Sequence, residues 1–367
     1  VVALSALAVW LSQRDATTPP ITDDQGKPIP GSIAALEKVS LGGSEQWISI
    51  RGQDVNKPVL LFLAGGPGGS QLATARRSLA GLEQSFVVVS WERPGAGKSF
   101  DAVERASLTT ERYIRDGHEL VLYLRQRFDE QKVYLLGESW GSALGVLLVQ
   151  RYPELFHALI GTGQMVAFKE TDILCYEFAL RWAQERGDSR KVEQLRQQGP
   201  PPYYGQGVAW KQVNYLQETF AYMNQNPAIV DNGFNTWDDL ASPEYGLYDK
   251  VNWVRGLLET IDIVYPQLWE VDFRRDAASL KVPVYFLIGR HDVNAPPVLT
   301  EEYFALLNAP HKELIWFEHS GHTPWTSEAT RFVEVVVHAV LPQTYPSAAP
   351  ATNDGPNERR SAALLGG

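Results

Sequence analysis

Short apolar runs recur along the chain, and stretches with helical periodicity separate them. A continuous apolar run of this kind is typical of a strand that is buried on both faces of a sheet. Helical patterns between the runs are clearest at Thr110–Phe128 and Trp140–Tyr152. Because strands and helices alternate, the chain is predicted to be an α/β protein with a mostly parallel sheet and helices on both faces. The predicted strands are Pro58–Leu63, Phe86–Trp91, Lys132–Leu136, Ala158–Ile160, Val282–Ile288 and Leu314–Phe317.

Two further features extend this core. Ala35–Ser40 and Gln46–Arg51 flank a Gly-Gly pair and predict an antiparallel hairpin. Residues 168–275 interrupt the alternation with helical patterns rich in Trp and Tyr, which predicts a helical cap between two halves of the core, 35–167 and 276–341. Such a cap would cover the carboxyl ends of the strands, where α/β sheets bind ligands. A separate helical domain with no role at the site is the alternative.

The two ends of the chain differ from the core in composition. Val1–Ser12 is apolar but shorter than the ~20 residues that span a bilayer. Since the sequence does not begin with Met, we interpret residues 1–16 as the remainder of a membrane anchor or signal segment; a frayed terminal helix is the alternative. This interpretation predicts membrane association, with a cytoplasmic or secreted location as the alternatives. Residues 17–34 are predicted to be a linker arm and residues 342–367 a disordered tail.

Composition narrows the classes of function. The 33 basic and 43 acidic residues give a net charge of −10, which disfavours nucleic acid as a partner. Cys175 is the single cysteine, so an intrachain disulfide and a cysteine-rich metal site are excluded. The sequence Gly97-Lys98-Ser99 is similar to the end of a phosphate-binding loop, but Glu92 stands where that motif needs glycine. We therefore interpret Gly95 and Gly97 as part of a tight turn after the strand Phe86–Trp91.

Residues 136–141, LGESWG, contain the pattern Gly-x-Ser-x-Gly in the context that this pattern requires, between a predicted buried strand and a predicted helix. A sharp turn at this position exposes the serine hydroxyl at the top of the sheet. Ser139 is therefore the candidate nucleophile. The backbone N–H of Trp140 would lie at the start of the helix, where it can stabilise an oxyanion.

A serine hydroxyl needs a base, and in this arrangement the acid and the histidine follow the serine along the chain. Asp292 comes after the predicted strand Val282–Ile288 and is the candidate acid. His322 comes after the last predicted strand and is the candidate base, because Gly321 frees the turn that brings it to the site. His319 follows that strand almost directly and is expected to bond locally. His291, beside the acid, is interpreted as a loop histidine.

A second oxyanion donor is expected after an earlier strand. The glycine-rich loop at residues 64–69, AGGPGG, follows the strand that ends at Leu63 and exposes backbone N–H groups. Gly66 is the preferred donor, with Gly65 as the next choice. Acyl-enzyme chemistry by these groups predicts no metal and no organic cofactor.

Together these motifs resemble the proline iminopeptidase branch of the α/β-hydrolase fold. The resemblance runs in order through AGGPGG at 64–69, WERPGAGKS at 91–99, GESWGS at 137–142, GRHD at 289–292 and SGH at 320–322. It implies a prolyl aminopeptidase that releases N-terminal residues from peptides, with Ser139, Asp292 and His322 as its triad and Gly66 and Trp140 as its oxyanion donors. The opening residues also resemble relatives that carry an N-terminal membrane anchor.

The chain departs from that family at two positions and in its cap. Ala64 stands where the family has His, and Glu92-Arg93-Pro94 where it has Asp-Gln-Arg; the first change is expected to loosen the oxyanion loop. Family aminopeptidases hold the substrate's ammonium group with cap glutamates. The candidates for that role in the cap are Glu170, Glu177 and Glu218, for each of which a solvated helix face is the alternative. Glu138, beside the nucleophile, is a further candidate for negative charge near the site.

Two other functions remain open at this point. A carboxylesterase or lactonase acting on small acyl substrates is the enzymatic alternative to the aminopeptidase. A binding protein that keeps the fold for ligand capture is the other, although a receptor would not need a complete triad. The expected partner is therefore a small peptide or an ester, with membrane attachment through the N-terminus as a further expectation.

Overall fold

A computed structural model describes residues 2–230 and 236–345, with side chains described from residue 5 onward. Of the predicted disordered tail, residues 346–367 lie outside the described residues, whereas residues 342–344 belong to a short helix.

An eight-stranded sheet forms the centre of the molecule and confirms the predicted α/β class. Its strand order is β1-β2-β4-β3-β5-β6-β7-β8. The first two pairings, β1 with β2 and β2 with β4, are antiparallel, and all the others are parallel. The strands are β1 Ile33–Leu41, β2 Ser44–Gly52, β3 Val59–Leu63, β4 Val87–Glu92, β5 Val133–Glu138, β6 Phe156–Thr162, β7 Val284–Gly289 and β8 Lys312–Phe317.

Helices cover both faces of the sheet. Successive side chains of a strand point to opposite faces, so a strand with apolar residues throughout needs cover on both. All five residues of β3 are buried. Leu61 and Leu63 join the apolar cluster on the face covered by the helices at 110–128 and 140–151, whereas Leu60 and Phe62 join the cluster on the face covered by the helices at 72–78 and 329–335. The core helices are α2 Leu72–Ser78, α3 Thr110–Phe128, α4 Trp140–Arg151, α12 Pro297–Leu306, α13 Pro324–Ser327, α14 Ala329–Val335 and α15 Leu341–Thr344, and α1 Val2–Arg14 precedes them all.

Between β6 and β7 the chain forms a helical insertion. Its two ends meet at a bridge between Ala167 and Asp272. Buried residues of the insertion, among them Tyr176, Tyr215 and Val264, belong to the same apolar cluster as one face of the sheet. The insertion contains α5 Phe168–Glu185, α6 Ser189–Gln198, α7 Val208–Gln225, α8 Thr236–Leu240, α9 Leu247–Arg255, α10 Ile261–Val264 and α11 Phe273–Asp276, with the π-helical turn Gly256–Thr260 joining α9 to α10.

The N-terminal segment packs against the helical insertion. The Gln13 side chain donates to the Asp249 carboxylate (2.7 Å), and the Ser12 hydroxyl accepts from the Leu247 N–H at the start of α9 (3.0 Å). Within residues 17–34, predicted as a linker, Thr18 is buried and donates to Glu244 (3.1 Å). Among the helices in residues 2–230 and 236–345, none combines the length and apolar character that a membrane span requires.

Candidate active site

Ser139 lies in a sharp turn between β5 and α4. Its backbone φ of 53° and ψ of −123° lie outside the regions that side chains favour, a strain typical of functional turns. Two glycines make the turn possible. A Cβ at Gly137 would lie 2.4 Å from the Gly141 carbonyl oxygen, and one at Gly141 would lie 2.0 Å from that of Leu63. Each would clash with backbone atoms, so the Gly-x-Ser-x-Gly pattern has a steric origin here.

The predicted acid and base come together at the ends of β7 and β8. Asp292 Oδ2 lies 2.9 Å from His322 Nδ1. The other oxygen, Oδ1, accepts from the N–H groups of Asn294 (2.7 Å) and Ala295 (2.8 Å), which fixes the carboxylate in place. Both side chains are almost fully buried, and His322 and Ser139 line the same cavity.

The two competing histidines lie outside this cavity. His319 Nδ1 is 3.3 Å from the carbonyl oxygen of Ala228, and His291 Nε2 is 3.1 Å from that of Glu318. Neither lines the cavity that holds His322. Sequence reasoning did not identify Gly163, which follows β6 and allows the base to pack closely: a Cβ there would lie 2.8 Å from His322 Cε1.

The oxyanion loop after β3 reaches the same cavity. Gly65 and Gly66 line it, and Gly66 has a φ of 124°, which favours glycine. Trp140 is the first residue of α4, so its N–H belongs to the group at a helix start that has no partner within the helix. The structure thus brings the predicted donors Gly66 and Trp140 to the same site as Ser139.

Arg93 holds the oxyanion loop, residues 64–69, through hydrogen bonds to its backbone. Its Nη2 donates to the carbonyl oxygens of Ala64 (2.7 Å) and Gly65 (2.8 Å), and the Gly65 N–H donates to the Gln71 side chain (3.2 Å). The guanidinium is buried, which lowers the pKa of Arg93 to about 10. Ala64 is expected to loosen this loop, and these three hydrogen bonds hold the loop in place.

A cavity of about 250 Å³ extends from Ser139 between the sheet and the helical insertion. Most of its wall is apolar. The ionisable side chains on the wall include two carboxylates, Glu138 and Asp172, together with His322; no Lys or Arg of the described residues lines it. The apolar wall includes Phe168, Leu216, Phe220, Trp253, Leu257 and Ile261.

Asp172 is a carboxylate of the cavity wall that sequence reasoning missed. It lies on α5 and is 2% exposed, and its carboxylate accepts from Gln212 Nε2 (3.0 Å) and from the Tyr265 hydroxyl (3.2 Å). Burial raises the pKa of Asp172 to about 7. The sequence did contain a signal, because Asp172 is a carboxylate within the buried stripe of α5 that includes Phe168, Cys175 and Ala179.

The three cap glutamates proposed from the sequence lie away from the cavity. Glu170 pairs with Arg274 on the outer surface, and Glu177 is exposed. Glu218 is buried, but its carboxylate is neutralised by Arg186 (2.7 Å) and Lys191 (3.7 Å). Tertiary packing turned the side chains of these glutamates toward solvent or toward basic partners, which a helical pattern alone does not reveal.

Glu138, the fourth candidate, is in the site. It is the last residue of β5, is 3% exposed, and its Oε1 lies 3.5 Å from His322 Nε2. Burial raises the pKa of Glu138, and the nearby His322 opposes that effect. Burial alone would lower the pKa of His322, but Asp292 and then Glu138 outweigh it and raise the pKa to about 8.

Lys98, in the segment that resembles a phosphate-binding loop, is not available to a nucleotide. Its side chain is 1% exposed and forms an ion pair with Asp249 (2.6 Å), and its ammonium also donates to the carbonyl oxygen of Glu244 (3.1 Å). Within the part of the chain that the structure describes, no group of three His, Cys, Asp or Glu side chains could hold a metal ion.

Comparison with known proteins agrees with this geometry. Residues 58–325 match the family described as the alpha/beta hydrolase fold. The chain therefore belongs to the α/β-hydrolase family, and its curated relatives include proteins named aminopeptidase or proline iminopeptidase.

Three comparisons illustrate that placement. A probable aminopeptidase, YbaC, of Bacillus subtilis is 30% identical over 320 residues, 83% of this chain and 96% of the relative. A proline iminopeptidase of Lactobacillus helveticus is 28% identical over 82% of this chain and 95% of its own. The crystal structure of proline iminopeptidase from Mycobacterium smegmatis has a TM-score of 0.61 at 18% identity, over 84% of this chain and 98% of that one.

Proposed function

We propose that the protein is a serine hydrolase of aminopeptidase type, which releases the N-terminal residue of small peptides through an acyl-enzyme. Ser139 is the nucleophile, His322 the base and Asp292 the group that orients it. The N–H groups of Gly66 and Trp140 form the oxyanion hole. The names of the relatives support the aminopeptidase class, and one feature of the cavity supports the choice of a charged substrate.

The proposed chemistry follows from the arrangement of these groups. The Ser139 oxygen attacks the carbonyl carbon while His322 Nε2 accepts the hydroxyl proton. The N–H groups of Gly66 and Trp140 stabilise the oxyanion, and the loss of one such donor costs about 3–4 kcal/mol in comparable enzymes. When the C–N bond breaks, His322 gives the proton to the leaving amine. Water then hydrolyses the ester on Ser139, again with His322 as base.

The observation that carries the aminopeptidase proposal is the environment of Asp172. Its carboxylate lines the cavity, is almost completely buried, and forms no ion pair with any Lys, Arg or His of the described residues. A buried carboxylate without a cation is unfavourable, because it has lost its water without gaining a counter-charge. An ammonium group of a bound substrate supplies that missing charge. Gln212 and Tyr265 fix the carboxylate for this contact.

Two of the glutamates proposed from the sequence provide a contrast. Glu218 has two basic partners and Glu170 has Arg274. Their charges are already balanced, so neither needs a ligand. The apolar wall, with Phe168, Phe220 and Trp253, supplies the surface against which a small side chain or a proline ring would pack.

The first prediction compares matched substrates. Wild-type protein should hydrolyse an aminoacyl arylamide with a free amine faster than the same arylamide with its amine acetylated, because acetylation removes the charge that Asp172 meets. Asp172→Asn should lower kcat/KM for the free-amine substrate about 10- to 100-fold, as expected for a lost hydrogen bond to a charged group. Its effect on a short acyl ester should be much smaller.

Two controls accompany this measurement. Glu170→Gln removes one negative charge from the same helix but outside the cavity, and it should leave the ratio of the two kcat/KM values unchanged. Ser139→Ala should abolish labelling by a fluorophosphonate. If wild type prefers the short ester and Asp172→Asn does not change the ratio, the protein is a carboxylesterase or lactonase and not an aminopeptidase.

A further inference from the structure

Glu138 occupies a position that the proposed acyl-transfer chemistry does not use. It stands directly before Ser139, and its carboxylate is enclosed between the oxyanion loop and the imidazole of His322. A Cβ added to Gly65 would lie 2.4 Å from Glu138 Oε2, so the loop packs tightly against this side chain. Oε1 lies 3.5 Å from His322 Nε2, and both side chains are at least 96% buried.

His322 is therefore placed between two carboxylates. Asp292 contacts Nδ1 at 2.9 Å, and Glu138 faces Nε2, which is the nitrogen that must accept the proton of Ser139. In a buried site the attraction between such charges is only weakly reduced by solvent. A proton on Nε2 is stabilised by Glu138, and the base is neutral only after that proton has left.

Four elements pack around this pair, and three of them bring charged or titratable groups. Asp292 follows β7, and the Cys175 thiol of α5 donates to the loop beside it. Arg93, from the turn after β4, acts on Glu138 from beneath the oxyanion loop. Asp172 lies on the cap side of the cavity, and α7 presents the neutral ring of Phe220 edge-on to the imidazole. Glu138 is thus the nearest charge on the Nε2 side of His322.

We propose that Glu138 is a positioning residue that holds the protonated imidazole of His322 through Nε2 and so sets how readily the base gives up its proton. The resting enzyme keeps an imidazolium between two carboxylates. Loss of one proton to solvent frees Nε2 to accept the proton of Ser139, and no other group changes its charge in that step. This inference rests on the proposed role of His322 as base.

The raised proton affinity of the pair agrees with this geometry. The pKa of His322 is raised to about 8 by Asp292 and Glu138 against the effect of burial. Replacing Glu138 by the uncharged Gln removes one of the two carboxylates and should make the neutral base available at a lower pH.

The test follows the rate at which an uncharged fluorophosphonate inactivates the enzyme, measured as a function of pH. The probe carries no ammonium group, so the result does not depend on a contact between Asp172 and a substrate cation. Wild-type protein should reach half of its maximal inactivation rate near pH 8. In Glu138→Gln the midpoint should lie at least about 0.5 pH unit lower, because one carboxylate no longer favours the imidazolium. Glu170→Gln, which removes an equal charge outside the cavity, should have the wild-type midpoint.

A second variant and a second measurement separate the possible failures. If Glu138→Gln does not fold, Glu138→Asp draws the charge back by one methylene and should shift the midpoint in the same direction. An unchanged or higher midpoint in a folded variant overturns the role of Glu138 while the proposed function stands. If the probe does not react with wild type at all, the proposed nucleophile is wrong. An NMR titration of His322 then measures its proton affinity without any chemistry, and equal values in wild type and Glu138→Gln overturn the inference.

Discussion

At the scale of single residues, the candidate site places Ser139 in one cavity with His322, whose imidazole contacts Asp292, and with the buried carboxylate of Asp172. Ser139, Asp292 and His322 each follow a strand, and parallel strands end at the same edge of the sheet, so their meeting could be expected from the sequence. Asp172 could not be assigned in this way. Its proposed role depends on which face of α5 turns inward and on the lack of a basic neighbour among the residues that the structure describes, and both are set by tertiary packing.

The pH dependence should differ between charged and uncharged substrates. In the proposed mechanism neutral His322 is the active base. Because the pKa of His322 is raised to about 8, kcat/KM for a short acyl ester should rise through pH 8 and then level off. An aminoacyl arylamide adds two conditions. Asp172 must be ionised, which requires a pH above about 7. The substrate amine must also be protonated, which requires a pH below about 8. That profile should be a narrow bell. An ester profile with its maximum below pH 6 would contradict the assignment of His322.

At the scale of elements, the buried strands were predictable because apolar runs bounded by turns have few alternative structures. The structure lengthens β6 to Phe156–Thr162, beyond the predicted Ala158–Ile160, because the residues at each end are also buried and paired. The position of β3 between β4 and β5 could not be read from the pattern, since neighbours in a parallel sheet are chosen by the crossover connections and not by periodicity. The insertion was predictable as a break in the alternation, but its contacts with the core were not.

The ion pair between Lys98 and Asp249 joins the turn after β4 to α9 and should contribute strongly to stability. Both side chains are nearly fully buried, so Lys98→Met leaves Asp249 charged and without its cation. The free energy of unfolding, measured in urea, should fall by about 3–5 kcal/mol. Arg151→Met breaks the solvent-exposed pair with Glu111 and should change it by less than about 1 kcal/mol. Equal effects of the two variants would show that burial does not determine the strength of the Lys98 pair.

At the scale of the whole molecule, three parts of the chain meet around α9. The N-terminal segment contributes Ser12 and Gln13, and the core contributes Lys98. Trp253 of α9 donates to the Ser70 carbonyl oxygen (3.0 Å), and both residues line the cavity. The N-terminal segment is therefore connected to the wall of the active site through a single helix. The apolar composition of this segment suggested an anchor. Its hydrogen bonds to α9, however, come from the polar residues Ser12 and Gln13 at its end, whose role the composition does not indicate.

Removing residues 1–16 tests how much the cap depends on this connection. The truncation loses the hydrogen bonds of Ser12 and Gln13, each worth about 0.5–1.5 kcal/mol, but Asp249 keeps Lys98 and the Gly246 N–H. The free energy of unfolding should fall by about 1–3 kcal/mol, and the fluorophosphonate should still label Ser139. Removing residues 1–30 should cost more, because Arg51 then also loses Thr18 and the Pro19 carbonyl oxygen, which it contacts at 2.8 and 2.6 Å. Urea unfolding of the two truncations measures the difference. If the shorter truncation already abolishes labelling, α9 needs the N-terminal segment to form the cavity wall, and the core contacts through Lys98 are insufficient to hold it.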